Sequence, residues 1–160
     1  MRTLVVYYSK TGVTRKAAVA ISRMLGADIE EIVDLKDRGG IMGWLTGGRD
    51  SCLKKPTEIK RPKKDPSKYK LVILGTPVWA FTLTPAVRTY IAKRGRRLKK
   101  AAFFCTNSGS PGNTFKSMQE LCGKKPIAAL SLSAKDMRSG GYFDMIRKFV
   151  SKIKNKEAKK

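Results

Sequence analysis

Short strand-like segments alternate along the sequence with segments of helical periodicity. The predicted strands cover residues 4–8, 28–35, 69–75, 101–106 and 126–132. All but the second are mainly apolar, as is typical of strands buried on both faces of a sheet. The second carries four acidic residues, which suit a strand at the edge of a sheet. The alternation predicts an α/β fold with a parallel sheet.

The helical segments have apolar residues at spacings of three and four. The first helix is predicted to follow Gly12 and to end at Gly26, and another begins at Thr84-Pro85, an N-cap followed by proline. Further helices are predicted around 115–121 and from Tyr142 to Ile153. Glycine and proline make 36–68 irregular, and we expect at most a short helical turn at 41–45.

Length and composition indicate one domain. The 160 residues predict a domain over 1–153 and a basic tail over 154–160 that frays. No apolar run approaches the ~20 residues of a membrane span. Three cysteines (Cys52, Cys105 and Cys122) without a CxxC spacing indicate reduced thiols and a cytoplasmic protein. The absence of histidine argues against a zinc site and against imidazole-based catalysis.

The formal net charge of +23 is the most unusual property of the composition. Such a charge attracts acidic proteins, nucleic acid or anionic membranes. A solvated, lysine-rich surface without a specific partner is an equally weighted alternative. No aromatic-interleaved RNA-binding motif accompanies the charge.

Three loops rich in small and polar residues follow the predicted strands one, three and four. The first, Ser9-Lys10-Thr11-Gly12-Val13-Thr14, lies between a strand and a helix N-terminus, where unpaired amides and hydroxyls can hold a phosphate. The others are 76–81 and 106–112. The carboxyl ends of parallel strands meet at one edge, so the three loops are expected to form one pocket. Each could instead be an ordinary turn, and Trp79 an ordinary core residue.

The first loop matches the flavodoxin pattern [Thr/Ser]-x-Thr-Gly-x-Thr, and Leu74-Gly75-Thr76-Pro77-Val78-Trp79-Ala80 resembles the second flavin loop of that family. Neither a Gly-Lys-[Ser/Thr] motif nor a GxGxxG motif follows the first strand, and the acidic residues of receiver domains are missing there. The resemblance covers nearly the whole chain. It implies a flavodoxin-like three-layer sandwich, a five-stranded parallel sheet in the order 2-1-3-4-5, and bound FMN.

The resemblance also implies which residues contact the cofactor. The FMN phosphate would be held by Ser9, Lys10, Thr11, Gly12, Val13 and Thr14. One side of the flavin ring would be flanked by Thr76, Pro77, Val78, Trp79 and Ala80. The other side and the pyrimidine edge would be lined by Thr106, Asn107, Ser108, Gly109 and Gly112. No catalytic residue and no metal ligand are expected, because the flavin carries the redox chemistry. Trp44 and its glycines are expected either to pack or to cover the flavin.

The function implied is electron transfer through flavin, either as a carrier to an acidic protein partner or as a small NAD(P)H or quinone reductase. A nucleic-acid-binding protein on the same scaffold is the alternative from another class. Residues 66–119 hold ten lysines and arginines and no acidic residue, whereas the family is usually acidic. These charges are expected to stabilise reduced, anionic flavin. The loop at 78–81 lacks a glycine, which favours two-electron chemistry.

Overall fold

Six strands form one sheet in the computed structural model, which describes residues 2–159. They are β1 (Thr3–Tyr7), β2 (Asp28–Glu31), β3 (Leu71–Trp79), β4 (Thr82–Leu83), β5 (Ala101–Asn107) and β6 (Ala129–Ser133). Five are parallel, in the order β2-β1-β3-β5-β6, and β4 pairs antiparallel with the end of β3. Since β5 and β6 are the fourth and fifth predicted strands, the predicted order 2-1-3-4-5 is confirmed.

Helices cover both faces of the sheet. They are α1 (Val13–Leu25), α2 (Gly40–Cys52), α3 (Pro85–Arg94), α4 (Thr114–Cys122), α5 (Ala134–Ser139) and α6 (Tyr142–Ala158), with 3₁₀ turns at Pro66–Lys68 and Gly95–Arg97. Side chains of α1 and α6 pack on one face of the sheet, and those of α3 and α4 pack on the other. Side chains alternate along β5, so Phe103 packs in the core under α3 and α4 and Phe104 packs in the core under α1 and α6. The predicted α/β three-layer sandwich is therefore confirmed.

Several boundaries differ from the sequence-based prediction. The segment expected to be irregular contains α2, a helix of 13 residues. Strand β3 continues to Trp79, because its end pairs with β4 in a hairpin. Helix α6 continues to Ala158, five residues into the predicted tail, and the Lys100–Glu157 ion pair of 2.6 Å ties its last turns to the sheet. Met1 and Lys160, at the ends of the predicted domain and tail, lie outside the described residues.

No helix within residues 2–159 has the length and apolar character needed to cross a bilayer. Over the same residues, no group of three or more Cys, Asp or Glu side chains could hold a metal ion.

Candidate functional site

A cavity of about 900 Å³ opens at the carboxyl edge of the sheet. Its walls come from the three loops that the sequence singled out and from two helices that it did not predict, α2 and α5. The lining residues are Val13, Trp44, Leu45, Gly48, Val78, Trp79, Ala80, Phe81, Thr106, Asn107, Ser108, Gly109, Ser110, Ala134 and Met137. Pockets of this size and largely apolar lining commonly hold cofactors.

The loop between β1 and α1 is organised by the Ser9 hydroxyl. Its Oγ accepts hydrogen bonds from the Gly12 amide at 3.1 Å and the Arg15 amide at 3.2 Å, so it caps the helix across the turn. Gly12 has a φ of 91°, a left-handed conformation that costs glycine little. The loop therefore wraps tightly around the start of α1.

This loop leaves a set of unused donors. The amides of Lys10, Thr11, Val13 and Thr14 have no acceptor among residues 2–159, and the first turn of α1 has no acidic residue. Unpaired amides and the positive end of a helix dipole favour an anion. Val13 also lines the cavity, so this anion site and the cavity meet at the start of α1.

A buried hydroxyl pair joins the first and third loops. Thr14 Oγ1 and Thr106 Oγ1 lie 2.8 Å apart, and both residues are buried. The pair holds the two loops together, and where Thr106 donates the bond, the Thr14 O–H stays available to the phosphate that it is expected to contact.

The β3–β4 hairpin turns through Ala80 and Phe81, which have φ values of 48° and 61°. Two left-handed residues in a two-residue loop are the geometry of a type I′ turn, normally built from Asn and Gly. Non-glycine residues in this region are strained, by roughly 1–3 kcal/mol each. The Phe81 side chain is 70% exposed at the cavity wall.

The third loop holds this strained turn in place. The Phe81 carbonyl accepts a hydrogen bond of 2.7 Å from the Asn113 amide. Gly112 packs against the same carbonyl so closely that a Cβ there would lie 2.3 Å from the oxygen. Gly112 therefore supports the hairpin from behind and does not line the cavity.

Two further predicted contacts also lie behind the cavity wall. Thr76 is fully buried, and its Oγ1 accepts from the Thr84 amide at 3.2 Å at the start of α3. Pro77 pairs with Thr106 inside the sheet. Neither residue is part of the cavity lining. They fix the loop through which Val78, Trp79 and Ala80 reach the cavity.

Trp79 is half-buried between the first loop and α2. Its ring meets Tyr8 edge-to-face at 5.7 Å between centroids. The Lys10 ammonium and the Arg38 guanidinium each lie 5.9 Å from the Trp79 ring centroid. Gly47 leaves the room that the ring needs, because a Cβ there would lie 2.7 Å from it.

Asn107 presents one free polar group at the cavity. Its Nδ2 donates to Ser131 Oγ at 2.8 Å, which leaves Oδ1 as an acceptor. Neighbouring Cys105 is buried, and burial raises the pKa of its thiol. Cys105 is therefore an unreactive packing residue.

A buried ion network anchors α2 beside the cavity. Arg38 Nε bonds Asp34 at 2.7 Å, and Arg38 Nη1 bonds Asp50 at 3.2 Å. Lys36 Nζ also bonds Asp50 at 2.7 Å. Lys36 and Arg38 together lower the pKa of Asp50 to about 2. The network fixes the helix that supplies Trp44, Leu45 and Gly48 to the cavity.

Most predicted ring contacts line this cavity, but the sequence did not single out the contributions of α2 and α5. Trp44 and its glycines, which include Gly48, are expected to pack or to cover the flavin, and Ser110 belongs to the predicted third loop, whereas Leu45, Ala134 and Met137 carry no recognisable signal. A model of the flavodoxin family matches residues 2–150, so the chain belongs to the flavodoxin family. Among curated proteins, none matches the sequence.

Solved structures share the fold. A Lactobacillus acidophilus flavoprotein in complex with FMN is 21% identical, with a TM-score of 0.71 over 86% of this chain and 97% of its own. A Bacteroides eggerthii flavoprotein is 23% identical, with a TM-score of 0.69 over 91% and 98%. A flavodoxin, WrbA-like protein from Agrobacterium tumefaciens is 16% identical, with a TM-score of 0.55 over 94% and 95%. Family membership and the first of these structures support FMN as the cofactor.

Proposed function

We propose that this protein binds FMN at the carboxyl edge of its sheet and transfers electrons through the flavin to an acidic protein partner. The observation that carries the proposal is the junction at Val13, where a loop of unused amide donors adjoins a large, mainly apolar cavity. FMN has the matching division into an anionic phosphate and a planar ring.

The donor set fits this cofactor. The amides of Lys10, Thr11, Val13 and Thr14, with the Thr11 hydroxyl, would hold the phosphate. Trp79 and the Ala80-Phe81 turn would flank the ring, and Asn107 Oδ1 would accept a hydrogen bond from its imide N–H. When bound, FMN supplies the redox chemistry, and the protein sets its orientation and electrostatics.

The carrier role is supported by charge. A net charge of +23 steers an acidic partner towards the molecule, and the effect weakens as salt is added. A carrier needs no substrate site beyond the exposed edge of its flavin.

A small NAD(P)H or quinone reductase is the second candidate. The observation that favours it is the apolar wall formed by Trp44, Leu45 and Met137, which would leave a planar acceptor an apolar surface beside the ring.

Two measurements test the proposal. The purified protein is expected to be yellow and to release FMN on heating, and a colourless protein that does not take up added FMN would refute it. Mixing the flavin-loaded protein with NADH or NADPH and a quinone separates the two roles. A carrier oxidises little nicotinamide without a partner enzyme, whereas a reductase sustains turnover.

A further inference from the structure

Helix α2 exposes its large apolar side chains and buries its small and polar ones. Ile41 is 80% exposed, Met42 71%, Trp44 66% and Leu45 52%. The buried residues of the same helix are Gly43, Gly47, Asp50 and Ser51. A surface helix normally has the opposite arrangement, and a contiguous exposed apolar patch marks an interaction site.

The inward face is locked, so the helix cannot rotate to bury these side chains. A Cβ at Gly43 would lie 2.1 Å from the carbonyl carbon of Arg38, and one at Gly47 would lie 2.7 Å from the Trp79 ring. Asp50 is held by Lys36 and Arg38. Trp44 and Leu45 also line the cavity, whereas Ile41 and Met42 do not, so these two side chains are the part of the outward face that needs a partner from outside the described residues.

Two exposed lysines, Lys54 and Lys55, follow α2 directly and form no ion pair among the described residues. The other cations near the helix are already paired: Lys36, Arg38 and Arg49 each bond Asp50, and Arg38 also bonds Asp34. A partner that combines apolar groups with negative charge would match both features.

We propose that α2 docks this protein on an anionic membrane surface, with its apolar face inserted among the lipid headgroups. The proposal does not depend on the redox role. A helix with exposed Ile and Met side chains, followed directly by two exposed lysines, resembles the interfacial segments that combine apolar insertion with attraction to anionic lipids. Ile41 and Met42, which are 80% and 71% exposed and lie outside the cavity, are the side chains that would insert. A second copy is disfavoured, because it would bring together two chains of +23.

Vesicle flotation of the flavin-loaded protein tests this proposal, with flavin absorbance reporting the bound fraction. We expect binding to vesicles of phosphatidylcholine mixed with phosphatidylglycerol and little binding to phosphatidylcholine alone. Ile41→Ser combined with Met42→Ser should lower the partition coefficient by at least about tenfold, because two inserted side chains are lost. Lys54→Ser with Lys55→Ser should lower it by about the same factor. None of these four residues lines the cavity.

Matched controls lie elsewhere on the surface. Lys99→Ser with Lys125→Ser removes two exposed cations just before β5 and β6, and Phe143→Ser removes an exposed apolar side chain of α6. Both are expected to change partitioning less than about twofold. Equal losses in control and test variants would mean non-specific charge attraction and overturn the proposal. An absence of binding to anionic vesicles, or dimerisation that the Ile41/Met42 variant abolishes, would also overturn it.

Discussion

Lys10 is close to the cavity in the folded protein, whereas most of the basic residues counted in the sequence are not. Its ammonium lies 5.9 Å from the ring centroid of Trp79, which lines the cavity. The basic run at 93–100 precedes β5, whose seven residues separate it from the third loop by roughly 20 Å. That distance is about two Debye lengths at physiological salt. The six cations at 93–100 are thus too remote to set the flavin potential. Arg38 is as near to Trp79 as Lys10 but is paired with Asp34 and Asp50, so the expectation now depends mainly on Lys10.

Lys10→Gln should therefore lower the midpoint potential of the bound flavin, whereas Lys99→Gln should leave it unchanged. Loss of one nearby positive charge destabilises reduced, anionic flavin by roughly 0.8 kcal/mol, or about 20 mV in a two-electron midpoint potential. Potentiometric titration of the two flavin-loaded variants at low salt makes the comparison. Equal midpoint potentials for both variants would contradict this assignment.

Gly112 is the residue on which the strained hairpin depends. Gly112→Ala places a methyl group 2.3 Å from the Phe81 oxygen at a φ of 51°, so the Asn113–Phe81 hydrogen bond must shift. We expect a loss of about 1–3 kcal/mol in the free energy of unfolding of the cofactor-free protein. Gly109→Ala is the control, because a Cβ there meets nothing within 4 Å. Denaturant unfolding measures the stability of both variants. Similar free energies of unfolding would show that Gly112 does not support the Ala80-Phe81 turn.

At the scale of elements, the sequence predicted the buried strands and the helices that cover them. Continuous apolar runs such as 101–106 and spacings such as that of Ala17, Ile21 and Met24 reflect burial against the sheet. The same logic fails for α2, whose buried face is glycine and Asp50 and whose apolar face points outward. It also fails for β4, because Ala80-Phe81 lacks the glycine or asparagine that marks such a turn.

Two glycines of α2 provide a test of this inverted packing. Gly43→Ala should destabilise the protein by about 1–3 kcal/mol, because its Cβ would lie 2.1 Å from the Arg38 backbone, which cannot yield. Gly48→Ala meets nothing within 4 Å and should stabilise the helix by roughly 0.5–1 kcal/mol. Thermal unfolding of the two variants measures both effects. Equal effects of the same sign would contradict the packing described for α2.

The ion network under α2 should make the protein sensitive to acid. Lys36 and Arg38 lower the pKa of Asp50 from 3.8 to about 2. A lowered pKa stabilises the fold fully above the unfolded value, near pH 4, and this stabilisation is lost as the pH falls towards 2. The loss is about 2 kcal/mol. Asp50→Asn should be less stable at neutral pH and should lose less stability between pH 4 and 2 than the unmodified protein.

Unfolding free energies measured across that range check this prediction. The matched control is Asp144→Asn, since Asp144 forms an exposed pair with Arg147 in which both side chains are 72% accessible. The Asp144→Asn protein should follow the pH profile of the unmodified protein. If Asp50→Asn lost as much stability between pH 4 and 2 as the unmodified protein, the ion pairs of Asp50 would not be the cause of the acid sensitivity.

The whole molecule has two distinct ends. The carboxyl edge of the sheet holds the cavity, the loop of free donors and the apolar face of α2. The amino edge holds the segments before β3, β5 and β6, which carry lysines and arginines such as Lys70, Lys99 and Lys125. The six-residue motif at 9–14 predicted from the sequence that the cofactor site lies at the carboxyl edge of the sheet. It did not predict the division of charge between the ends, because that depends on which loops the topology brings together.

FMN is expected to bind with its phosphate on the 9–14 loop and its ring in the adjoining cavity. Titration of the cofactor-free protein with FMN and with riboflavin, followed by the quenching of flavin fluorescence, tests it most directly. The account predicts saturable binding of one FMN per chain and much weaker binding of riboflavin, which lacks the phosphate that the free amides would hold. Equal affinities for the two flavins, or no binding of either, would contradict it.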